Sequence, residues 1–179
     1  MERHLIGPWQ RMVTGKATLL ERVGRHPPEI REERPKEGGW SRAEIVEHLV
    51  RSEGGMVTAL AKPPSPDRPR SFPRGQGLRF LGLRAALRMG IRIKAPVESI
   101  LPTGELSWHA ILSRWEEQRR AMEEWLLGVD PGILHDPRFR HPIVGWLTVP
   151  QALIFAADHI GHHLQQLGRL ERSGGRGGE

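Results

Sequence analysis

Cysteine is absent from the chain. Disulfides and thiolate metal sites are therefore excluded, and any metal must be held by His, Asp or Glu. Long apolar runs are missing too. No stretch reaches the roughly 18 apolar residues that suggest a membrane-spanning helix. The opening "MERHLIGPWQ" has no apolar h-region and no small-residue cleavage site, so no signal peptide is expected and a cytoplasmic location follows. Period-two alternation is scarce, and no such run is long enough to build a sheet. Acidic residues are nearly absent from one region. Between Lys62 and Lys94 stand Arg68, Arg70, Arg74, Arg79, Arg84, Arg88 and Arg92, against the single acid Asp67. The whole chain carries a formal charge of +6, so this stretch concentrates the excess.

Helical periodicity is abundant. A first segment runs from Ile6 or Trp9 to Val23, with Met12, Leu19, Leu20 and Val23 as its apolar stripe, and "HPP" at 26–28 stops it. A second opens at Ser41, an N-cap candidate with Glu44 completing a capping box, and ends before "KPPSPDRP". A third is capped by Ser107 and carries Trp108, Ile111, Leu112, Trp115, Met122, Trp125 and Leu126 at three- and four-residue steps. A fourth starts at Thr148, with Pro150 in its first turn and Gln151 closing a second capping box, and reaches about Glu171.

Four amphipathic helices predict an all-α, four-helix bundle in a single domain over 1–171, followed by a disordered glycine-rich tail over 172–179. The stretch from Pro63 to Glu105 is too long for a bundle loop. It reads as a crossover excursion between the second and third long helices, with one short basic helix inside "GLRFLGLRAALRMGIRIK".

The chain has nine histidines. Three lie in "DHIGHHLQQL" on the fourth long helix. His159 and His163 are four apart, hence on one face and about 6 Å apart at Cβ, within reach of a single ion. Such a pair arises readily by chance, as half-buried rings bonded to carbonyls or water. His48 adds weight because it flanks the core stripe of the second helix. Three buried neutral imidazoles without a carboxylate are costly unless a cation joins them. The second position after His159 is Gly161 and the first is Ile160, so the H-E-x-x-H pattern of zinc proteases is absent.

Other candidates read as bland. Glu47 and Glu53 fall off the face of His48 and are expected as solvent-facing charges, and Asp158 as exposed. Gln166 lies on the ligand face and either orients an imidazole or packs in the core. His162 is expected at the surface or behind a ligand, His109 at the surface, and His141, before Pro142, in an extended loop at a pocket mouth. Trp40, Trp108, Trp115, Trp125 and Trp146 are expected in core or interface.

The order "W-S-x-x-E-I-x-x-H-L", then "HPIVGWLT", then "H-x-x-x-H-x-x-Q" resembles the DinB/YfiT-like superfamily over about residues 6–170. The resemblance implies a four-helix bundle holding a divalent metal ion (zinc, nickel or iron) through His48, His159 and His163, with Gln166 closing the motif. Three protein nitrogens would leave an open coordination position. The implied activities are metal-dependent hydrolysis or transfer of a low-molecular-weight thiol, on a small-molecule substrate, in a homodimer. Two other readings remain. One is a basic interaction module contacting nucleic acid, acidic membrane or a partner subunit, with a structural metal; nucleic acid is the less favoured contact. The other is a helical dimer with a vestigial site.

Overall fold

The computed structural model describes residues 1–36, 38–63, 65–95 and 97–174, with side chains to Arg172. The last residues of the expected disordered tail, 175–179, lie outside this range.

Four long helices form the bundle: α1 (Arg3–Gly24), α3 (Arg42–Ala61), α5 (Trp108–Gly128) and α6 (Val149–Gly174). Their starts are local chemistry. The Ser41 hydroxyl accepts from Glu44 N–H, while the Glu44 carboxylate accepts from Ser41 N–H. Thr148 and Gln151 exchange the same pair of bonds at α6, and the Ser107 hydroxyl accepts from Ala110 N–H at α5. Each satisfies amide donors that a helix start leaves free. α1 begins earlier than its stripe suggested and takes Pro8 within its length.

The core joins Leu5, Met12 and Leu19 of α1, Leu49 and Met56 of α3, Trp115 and Met122 of α5, and Ile160 and Leu167 of α6. A charged pair is buried among them. Glu53 on α3 pairs bidentately with Arg119 on α5 and accepts the Trp115 indole N–H at 2.9 Å. Glu53 is thus not the solvent-facing charge its helical phase suggested. Arg119 sits in the α5 stripe and supplies its partner.

The excursion contains α4 (Gln76–Arg88), as expected, started by Gly75 at φ 77°. Phe80, Leu83 and Leu87 pack it on Val144, Leu147 and Phe155. Asp158 of α6 is buried, contrary to expectation, because α4 covers it. It binds Arg84 at 2.7 Å, Arg88 at 3.2 Å and Arg11 of α1 at 3.3 Å. Several short elements have no counterpart in the sequence reading. Pro28–Glu32 forms a single helical turn, α2, with Pro28 in its first position. Strands β1 (Phe139–His141) and β2 (Gly145–Leu147) form an antiparallel hairpin, Arg140 opposite Trp146. Gly145 takes φ 83° at its turn, a conformation glycine adopts without steric cost. Three-residue strands are below what periodicity resolves. Among the described residues no helix is long and apolar enough to cross a membrane.

Candidate metal centre

His48 faces the bundle interior from the middle of α3, and His159 and His163 face it from successive turns of α6. Their rings meet. Nε2 of His159 lies 3.2 Å from Nε2 of His48 and 3.0 Å from Nε2 of His163. One ligating atom from each ring falls within a 4.8 Å cluster. All three ligating groups are buried, His159 keeping some exposed surface elsewhere on the residue.

The outer nitrogens define the tautomers. Nδ1–H of His48 donates to the Ile100 carbonyl at 2.8 Å. Nδ1–H of His163 donates to Gln166 Oε1 at 2.8 Å. Both groups are acceptors, so in the neutral rings the protons sit on Nδ1 and Nε2 carries a lone pair. His159 can offer at most one N–H to these two acceptors. The cluster therefore holds more lone pairs than protons, a donor set that suits a cation. Tetrahedral Zn–N bonds of about 2.0–2.1 Å place ligand nitrogens roughly 3.3 Å apart, near the observed separations.

Protonation works against the cluster. Burial pushes His159 well below its ordinary range, with His163 and His48 adding to the shift. Burial does the same to His163, again reinforced by His48. His48 is lowered by burial, partly offset by the Ile100 carbonyl. Neutral rings are the ligating form.

The surroundings are aromatic. Trp40 packs on His48 with ring centroids 4.6 Å apart and reaches His163 at 6.2 Å. Phe155 stacks on His159 at 5.3 Å. Trp40 was expected as plain core or interface. It stands one residue before the Ser41 cap, outside α3, so helical phase offered no signal for its contact with His48.

Glu47 is buried rather than solvent-facing. Its carboxylate accepts from Thr103 N–H at 3.1 Å, Gly104 N–H at 3.0 Å, the Thr103 hydroxyl at 3.1 Å and Arg51 at 2.8 Å. Burial alone would raise this carboxyl, but those donors hold it below the usual range. The loop it anchors follows directly on Ile100, whose carbonyl holds His48. Glu47 thus acts on the triad through the loop.

His162 is buried, its Nδ1–H donating to the Leu87 carbonyl of α4 at 3.3 Å. His109 is exposed, as expected. His141 belongs to β1 and is buried; its Nδ1 accepts from Ile143 N–H at 3.2 Å. Its ring lies 4.5 Å from that of Phe155, which also stacks on His159. Beyond it a cleft of about 480 Å³ is lined by Arg79, Arg140, His141, Gln76 and Trp146. None of the three clustered histidines lines it.

A sequence profile of the DinB superfamily matches residues 11–167. No curated protein and no solved structure matches the chain.

Proposed function

The chain belongs to the DinB superfamily, and on that premise we propose that His48, His159 and His163 hold a divalent ion (zinc, nickel or iron) in an open site that serves a metal-dependent reaction on a small molecule. The observation that carries this reading is the convergence of three Nε2 atoms with two of the Nδ1 protons committed elsewhere. When bound, such an ion supplies Lewis acidity and lowers the pKa of a thiol or water beside it.

Between hydrolysis and low-molecular-weight thiol transfer, the proton inventory favours the thiol. Hydrolysis in zinc proteases uses a carboxylate base. Here Glu47 is saturated by loop donors and Glu53 by Arg119 and Trp115. A thiol starts much closer to neutrality than water does, so ionisation needs less help from a base. Trp40 and Phe155 limit water around the rings. Arg140, in the cleft behind His141, provides a cation for an acidic group on the thiol or its acceptor. Within this reading the protein acts as a cytoplasmic homodimer.

The test is metal content of purified, untagged protein by inductively coupled plasma mass spectrometry. About one divalent ion per chain is expected, lost in a His48→Ala, His159→Ala double variant. Thiol-transfer and hydrolysis screens then use the ion found. Wild-type protein that stays metal-free after reconstitution with zinc, nickel and iron would make the triad structural and end the enzyme reading.

A further inference from the structure

α4 is apolar on two opposite faces. Phe80, Leu83 and Leu87 turn inward onto α6 and the hairpin. At about 100° per residue, Leu78, Leu81, Ala85 and Met89 form a second stripe on the opposite side. Leu78 is 76%, Leu81 59% and Met89 68% exposed. The chain continues past the helix with Ile91 and Ile93, also exposed. One buried apolar face satisfies an amphipathic helix; a second apolar stripe left exposed, as here, marks an interaction surface.

The surroundings of the stripe are cationic. From 68 to 97 the sequence contains no acidic residue. The acids that do reach this region take Arg84 and Arg88, through Asp158, and Arg68, through Asp136. Arg70, Arg74, Arg79, Arg92 and Lys94 are exposed, and none has a carboxylate within ion-pair distance among the described residues. α4 is also held firmly with its outer face outward. The Asp158 pairs, the Leu87 carbonyl to His162 and the Arg88 carbonyl to Gln165 all fix its inner side.

We propose that the outer face of α4 docks this protein on an anionic membrane surface, with Leu78, Leu81 and Met89 entering the headgroup boundary and Arg74, Arg79, Arg92 and Lys94 contacting acidic lipid headgroups. Charge complementarity selects this occupant. A second copy seated symmetrically on α4 would set the acid-free segment against itself, like charge against like. Nucleic-acid interfaces are polar and strongly basic, whereas the centre of this patch is aliphatic. A basic rim around an aliphatic stripe is the pattern of helices that lie in the plane of a bilayer surface. The inference is independent of the metal reading.

The test is flotation of the full chain with vesicles of equal parts phosphatidylcholine and phosphatidylglycerol, beside vesicles of phosphatidylcholine alone. Binding to the anionic vesicles is expected, weakened by salt. Replacing Arg74, Arg79 or Arg92 with Ala should lower the partition about fivefold each. Leu81→Glu with Met89→Glu should lower it at least about tenfold. Both positions are exposed, and circular dichroism checks that the variants keep their helix content. No binding to the anionic vesicles, or equal binding to both kinds, overturns the proposal. So does a dimer in size-exclusion chromatography that Leu81→Glu dissociates, or salt-dependent DNA binding, in protein that binds no vesicles.

Discussion

Gln166 and His141 show how one hydrogen bond sets what an imidazole can do. Gln166 Oε1 accepts the His163 Nδ1 proton and so turns the Nε2 lone pair inward. Gln166→Leu removes that acceptor while keeping the apolar stem. Metal affinity, measured by competition with a chromogenic chelator, should fall about ten- to a hundredfold. Gln166→Glu keeps an acceptor and should recover most of it. His141 makes the opposite bond, accepting at Nδ1, and burial pushes its pKa down to about 4. In the unfolded chain it titrates near about 6.5. Between those values the unfolded state takes up a proton that the folded state refuses, so stability falls as pH drops from about 6.5 to 4. The full loss from this residue is about 3 kcal/mol, reached below the folded pKa. In His141→Gln the stability-versus-pH slope over that window should be shallower, as urea unfolding at successive pH values would record. An unchanged slope would assign the acid sensitivity to other groups.

At the scale of elements, the triad depends on segments that carry none of its ligands. The loop after Ile100 is fastened by Glu47, one residue before His48. Glu47→Gln leaves the shape but weakens the acceptor for Thr103, Gly104 and Arg51. The Ile100 carbonyl then loses its fixed place against His48. A drop in metal affinity of about tenfold is expected, with α3 intact by circular dichroism. Full affinity in this variant would show that the carbonyl stays in place without the loop anchor. The burial of Glu47 and Asp158 was not legible from helical phase. Phase gives the angle of a side chain around its own axis. It does not say that the 101–105 loop lies over one position and α4 over another. The capping boxes were legible because donor and acceptor stand three residues apart and need no other element.

For the molecule as a whole, the bundle contains an ion pair between α3 and α5 that is nearly sealed from solvent. Glu53 is 3% and Arg119 5% exposed. Removing one partner leaves a charge buried alone, so Glu53→Gln should cost about 3–5 kcal/mol in urea unfolding. Replacing both, with Glu53→Leu and Arg119→Met, should recover part of that loss, because neither charge then remains buried. A single variant costing no more than about 0.5 kcal/mol, as surface changes do, would count against a desolvated pair.

The pattern of residues along the chain by itself determined the all-α architecture, the helix starts at Ser41, Ser107 and Thr148, and the helix inside the basic excursion. It also put His159 and His163 on one face of α6. These features rest on spacing of three or four residues, which one helix enforces locally. His48 was added to that pair by its place beside the core stripe and by the family resemblance. Tertiary structure alone decided what lies across from each face. It set Trp40 against His163, the Ile100 carbonyl on the outer nitrogen of His48, Arg119 on Glu53, and α4 over Asp158 with its second apolar face outward. Such pairings join residues far apart in sequence, and only the packing of whole elements brings them within bonding distance.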